Sequence, residues 1–113
     1  MHELSLTSNL LDIIEEQSIT NKFSDVHIVQ LEIGYLSCIS PDALELCFNV
    51  AKRDTVAKNA NLEIKRILGR VQCRTCKTTF QVTELLTPCP ECDSLGHDVV
   101  DGNSLKITNL EVT

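Results

Sequence analysis

Apolar residues recur along this chain with two periods. Leu6, Leu10, Ile13 and Ile14 follow helical spacing, and Leu4 and Leu11 widen the stripe, which predicts a helix over about residues 4–17. Asn21 and Lys22 supply a stop. The period then becomes two. Val29, Leu31 and Ile33 share one face and Gln30 and Glu32 the other, so Val26–Ile33 reads as a strand ending before Gly34. Ser40 and Pro41 open a second helix as N-cap and first helical residue, with a stripe of Leu44, Cys47, Phe48 and Ala51. Asn59-Ala60-Asn61 marks a turn. Residues 62–68 form a second strand, Leu62 and Ile64 inward, Glu63 and Lys65 outward, closed by Gly69. After a turn at Gly102-Asn103, residues 105–112 make a third strand. Its alternation slips, because Leu105 and Ile107 share a face whereas Leu110 and Val112 take the other. A bulge, or burial of both faces, would account for the slip.

Residues 70–98 carry no such periodicity and hold four of the six cysteines. Cys73-x2-Cys76 and Cys89-x2-Cys92 are two pairs of the kind that turns two thiolates toward one ion. Two such turns complete a tetrahedron, which suits Zn²⁺ because a d¹⁰ ion has no competing geometric preference. Pro88 and Pro90 stiffen the second turn. All four ligands are protein thiolates, so no position stays open for water, and the site reads as structural. Phe80, Val82, Leu85, Leu86 and Leu95 are too few to fold this segment without the metal, whose binding contributes on the order of 10 kcal/mol or more. Iron in a rubredoxin-like site uses the same ligands, but the aromatic packing usual around an electron-transfer centre is missing. Cys38 and Cys47 stand apart and read as core thiols.

The fold class follows. It is α+β: a three-stranded sheet with two helices, plus a small zinc-ribbon-like four-cysteine domain inserted between the second and third strands. The division is residues 1–69 and 99–113 for the α/β domain and 70–98 for the metal-binding domain. At 113 residues the chain supports one compact domain with such an insert.

The formal charge is −6. An acidic chain meets repulsion at phosphate backbones and anionic lipid, which argues against nucleic acid and membrane. The first residues lack a basic stretch followed by an apolar core, so no signal peptide is read, and no apolar run is long enough to span a bilayer. Six cysteines in a reducing compartment read as ligands or thiols, which fits the cytoplasm. No nucleophile–base pair, phosphate loop or open metal site is visible, so the chain does not read as an enzyme.

Met1-His2-Glu3 adds a second metal chemistry. The α-amine, the deprotonated His2 amide and His2 Nδ1 close a five- and a six-membered chelate ring on one ion. Three nearly coplanar nitrogens favour square-planar Ni²⁺ or Cu²⁺. The fourth position is left to Glu3, water or another group, and an incomplete site releases its ion readily, as a carrier must. The helix dipole opposes a cation there, and Glu3 offsets it.

Together these stretches resemble a known family. The start Met1-His2-Glu3-Leu4-Ser5-Leu6, the strand Val29-Gln-Leu-Glu-Ile-Gly34, the two cysteine pairs and the ending Ser104-Leu-Lys-Ile-Thr-Asn-Leu-Glu-Val112 resemble the HypA/HybF hydrogenase maturation nickel metallochaperones over the whole chain. The resemblance implies nickel held by Met1 and His2 with Glu3 in support, and zinc held by Cys73, Cys76, Cys89 and Cys92. It implies the HypB GTPase and the precursor of the [NiFe]-hydrogenase large subunit as partners, with urease the recipient in some relatives. A monomer or weak homodimer is expected. Some relatives carry a histidine after the second cysteine pair. Here Asp93 follows Cys92, and His97 comes later, read as an exposed loop residue or an extra ligand during transfer. His27 reads as structural and Asp42 as serving the helix dipole. The alternative function is a non-catalytic zinc-ribbon protein-interaction module.

Overall fold

The computed structural model describes the backbone of residues 2–113 and the side chains of residues 3–113. Helix α1 spans His2–Thr20 and α2 Pro41–Ala51, followed by a 3₁₀ turn at Lys52–Asp54. The strands are β1 (Val26–Gly34), β2 (Asn61–Ile67), β3 (Gly69–Cys73), β4 (Thr79–Val82), β5 (His97–Asp101) and β6 (Leu105–Val112). They form two three-stranded sheets, ordered β2-β1-β6 and β4-β3-β5. The α+β class is as expected, with the cysteine segment lying between β2 and β6. That segment brings a sheet of its own, which the sequence reading did not assign.

Contacts divide the chain into two compact units. The first holds the chain up to Leu31, Ile39–Ile64 and Ile107–Thr113; the second holds Glu32–Cys38 and Lys65–Lys106. In the first unit the buried stripe of α1 is Thr7, Leu10, Leu11, Ile14 and Ser18. It is rotated from the expected one, and Ile13 is 45% exposed. Thr7 is tolerated inside because its hydroxyl donates to the Glu3 carbonyl at 2.9 Å, and Ser18 does the same to the Glu15 carbonyl at 2.6 Å. Ser40 caps α2 as expected: its hydroxyl accepts from the Ala43 amide, and Pro41 stands in the first turn. Leu44 and Phe48 are fully buried, but Ala51 is exposed and Cys47 half-buried. Glu15 accepts from the Val56 amide at 2.9 Å, tying α1 to the segment after α2.

In the second unit β3 is central. It pairs antiparallel with β4, placing Val71 opposite Phe80, and with β5, placing Cys73 opposite His97. A register shift at Arg70/Val71 breaks the β5 ladder. Gly102 turns the chain from β5 to β6 with φ +85, and a Cβ there would stand 2.5 Å from Gly69 Cα. That close approach accepts only glycine. On β6, Leu105, Ile107 and Leu110 are all half-buried, while Val112 is exposed.

Candidate metal centre

The two cysteine pairs adopt the same local fold. Cys73 ends β3; its amide donates to the Thr78 carbonyl at 2.9 Å and its carbonyl accepts from the Lys77 amide at 3.0 Å. Cys89 repeats this with Ser94 and Asp93, both at 2.9 Å. Each turn closes through a left-handed residue, Lys77 (φ 57 to 67 is the range of such residues here, Lys77 at 67) and Asp93 at 61. Aspartate adopts that conformation readily; lysine does so at a cost of about 1 kcal/mol or more. The turns are then stitched together. The Arg74 amide donates to the Gly96 carbonyl at 2.9 Å, Thr75 Oγ1 lies 3.2 Å from Ser94 Oγ, and Arg74 Nε donates to Asp98 at 2.9 Å.

The result is a cluster of four sulfurs, all within 4.8 Å of one another. Cys73 Sγ lies 3.6 Å from Cys92 Sγ, and Cys76 Sγ 3.5 Å from Cys89 Sγ. Sulfurs at about 2.3 Å from a tetrahedral ion stand about 3.8 Å apart, so the cluster fits one such ion. Its exposure alternates: Cys73 and Cys89 are buried, Cys76 and Cys92 exposed.

Thiolate stabilisation is uneven. The Cys76 amide, against the effect of burial and together with the Thr75 amide and the Cys92 and Cys76 thiols, holds Cys73 down to about 6 from its ordinary 9.0. Cys76 Sγ lies 3.2 Å from the Thr78 hydroxyl, and that contact, with the Thr78 amide, lowers Cys76 despite burial. The Ser94 amide pulls Cys92 down, but burial and the neighbouring Cys73, Cys76 and Cys89 sulfurs outweigh it and push Cys92 up to about 12. Sulfurs this close cannot all carry charge on their own, which suits a set of ligands for one cation. The Glu91 amide donates to Cys89 Sγ at 3.4 Å.

The architecture and cluster invite comparison with known proteins. The family model described as hydrogenase/urease nickel incorporation, metallochaperone, hypA, matches residues 1–112. This chain belongs to the HypA family. Among curated HypA relatives, the hydrogenase maturation factors HypA of Geobacter metallireducens and Acidithiobacillus ferrooxidans are each 41% identical over 112 residues, covering 99% of both chains. A solution structure of a HypA protein is similar with TM-score 0.73 and 26% identity over 100% of this chain and 97% of its own. The Ni metallochaperone HypA from Helicobacter pylori has the same fold, with TM-score 0.71 and 24% identity over 97% and 96%. The HypA family is one of nickel metallochaperones for hydrogenase maturation, as the sequence resemblance implied.

Other residues singled out from the sequence fall as follows. Met1 lies outside the described residues, as does the side chain of His2. Glu3 stands in the first turn of α1, and its carboxylate accepts from the Ser40 amide at 3.3 Å, joining the starts of the two helices. Asp42 occupies the first turn of α2, where an acid suits the dipole. His27 is exposed, its Nε2 3.0 Å from Thr113 Oγ1 and 3.9 Å from Asp25. Cys38 is not a core residue: it is exposed in a turn with φ 61, past the end of β1. His97 is not an exposed loop residue. It opens β5 and is only 5% exposed, because its partner Cys73 lies at the covered end of β3. Thr78 and Ser94, whose groups address Cys76 and Cys92, carried no periodic signal. Their one cue is position, each two residues after the second cysteine of a pair.

Proposed function

We propose that this chain is a nickel metallochaperone that binds Ni²⁺ at its amino terminus and delivers it for maturation of [NiFe]-hydrogenase, with Zn²⁺ held structurally by Cys73, Cys76, Cys89 and Cys92. The observation that carries the reading is the family match along residues 1–112, which includes the Met1-His2-Glu3 start and both cysteine pairs. Nickel is the cargo. The α-amine of Met1, the amide nitrogen and Nδ1 of His2 hold it, and Glu3 supports the site, itself anchored by the Ser40 amide. Residues 1–69 and 99–113 serve as the nickel-binding domain and 70–98 as the zinc-binding domain. When bound, zinc supplies no chemistry beyond fixing the two cysteine turns against each other, since a closed thiolate set leaves no open position.

The chain catalyses nothing itself. Transfer is ligand exchange: a partner offering thiolates takes the ion from an incomplete nitrogen site. The partners are the HypB GTPase and the precursor of the hydrogenase large subunit, met in the cytoplasm, where the thiols stay reduced. No helix among the described residues is long and apolar enough to cross a membrane.

The test is nickel binding by calorimetry on tagless protein with native Met1, beside His2→Ala and a form with one residue added before Met1. Tight binding lost in both variants is expected. Equal binding by all three forms would remove the amino-terminal site and put the zinc-ribbon interaction module in its place.

A further inference from the structure

His97 sits where an apolar side chain would be expected. It lies on the face of the β4-β3-β5 sheet that carries Val71, Val82 and Phe80, and its ring meets Phe80 edge-on at 4.9 Å between centroids. Its Nδ1 is buried with no hydrogen-bond partner among the described residues. A bare buried nitrogen is unfavourable, and a leucine or phenylalanine would avoid it. What an apolar residue lacks is the other nitrogen. Nε2 lies 2.6 Å from the Thr87 carbonyl. A carbonyl only accepts, so Nε2 carries the proton and donates, which leaves Nδ1 with the lone pair.

Thr87 lies two residues before Cys89, on the entering side of the turn, whereas the bonds from Arg74 and Thr75 to Gly96 and Ser94 hold its leaving side. No strand runs between Val82 and His97. Leu85 and Leu86 are 45% and 76% exposed, so apolar packing does not fix the approach to the second cysteine pair. The Thr87 hydroxyl donates to the Glu84 carbonyl within the same segment. The bond from His97 therefore closes residues 87–97 into a loop that contains Cys89 and Cys92 and fastens it to β5. Beside it, β3 ends in Cys73, the first ligand of the other pair.

We propose that His97 is a positioning residue of the metal centre: by donating from Nε2 to the Thr87 carbonyl it holds the Cys89/Cys92 turn in place against Cys73, without ligating the metal. This rests on the four-thiolate zinc reading above. Groups that orient ligands in this way typically change metal affinity 10- to 100-fold when removed.

The experiment uses the full-length zinc-loaded chain. Zinc transfer to an excess of chromophoric chelator is timed for wild type, His97→Phe, which keeps an aromatic ring but no donor, and His97→Gln, which restores an N–H at a similar reach. His97→Phe should transfer zinc about 10-fold faster or more, and His97→Gln should recover most of the wild-type rate. The Co²⁺-substituted forms should all keep a tetrahedral thiolate spectrum. A His97→Phe protein that melts lower yet transfers zinc at the wild-type rate would reduce His97 to a core residue and overturn the proposal. So would a His97→Gln protein as fast as His97→Phe. A wild-type Co²⁺ spectrum of three thiolates and one nitrogen, altered in His97→Phe, would make His97 a ligand and overturn the proposal. A wild-type chain with no tetrahedral thiolate spectrum at all would sink the zinc reading itself. The long-range ¹H–¹⁵N spectrum of wild-type protein checks the bond without any variant: Nε2 must carry the proton, and a proton on Nδ1 overturns the assignment.

Discussion

Replacing each metal-site cysteine by serine should divide the four into two classes. With zinc as the proposed ion, the site is worth on the order of 10 kcal/mol or more, so each of four thiolates accounts for roughly a hundredfold in affinity. What differs between positions is the replacement ligand. Cys73 and Cys89 are 0% exposed, whereas Cys76 and Cys92 face solvent. At an exposed position water enters and completes the tetrahedron, as it does in three-ligand sites. Cys76→Ser and Cys92→Ser should therefore keep zinc with affinity lower by only about 10-fold, part of the lost ligand being returned. At a buried position water has no room, and the serine hydroxyl is a poor ligand. Cys73→Ser and Cys89→Ser should lose about 100-fold or more and melt the β4-β3-β5 sheet, because Cys73 is itself a strand residue. The assay is competition for zinc against a chromophoric chelator, with amide spectra of β3–β5 as the folding readout. Equal losses at all four positions, or a larger loss at Cys92 than at Cys89, would refute the argument from exposure.

Other consequences concern pH and packing. In the folded cysteine turns Cys73 is held down to about 6, so the stability it contributes there is complete above its unfolded value of 9.0 and is lost as pH falls through 6. Where the turns are formed before loading, calorimetry of metal loading in buffers of different ionisation enthalpy should show roughly one more proton released at pH 5 than at pH 7.5; equal release at both would mean that the turns form only on loading. Phe48→Ala removes a fully buried side chain from α2 and should cost about 3–5 kcal/mol in denaturant unfolding of the metal-loaded protein; less than about 1 kcal/mol would mean that α2 is not packed as described. Gly102→Ala combines a left-handed backbone with a Cβ 2.5 Å from Gly69 Cα, and should destabilise by about 2 kcal/mol or more, read as a lower melting temperature.

The Glu3–Ser40 contact bears on the carrier role. The carboxylate that supports the proposed nickel site is engaged with the amide of the α2 cap residue. An exposed bond of this kind is easily exchanged, so Glu3 can be held near the start of α1 and still turn to an incoming ion.

Much of this protein was legible in one dimension. Periodicity placed both helices and all three strands of the larger sheet, because burial of one face imposes a fixed repeat on the sequence. Ser40 and Pro41 marked the start of α2, since a cap is a local bond between neighbours. The cysteine spacing announced a four-thiolate site for the same reason, a turn being closed within a few residues. The matters that only the tertiary structure decided are contacts between distant segments. The small sheet was hidden because strands of four or five residues, such as β4 and β5, are too short to show a period. Cys38 and His97 were placed on the wrong side of the surface. Exposure of an isolated residue depends on what packs over it: Cys38 rides a turn into solvent, while β3 and Phe80 cover His97. Local bonds and repeating faces are written into consecutive residues, but which side chain closes over a metal turn is fixed only when strands far apart in sequence pair.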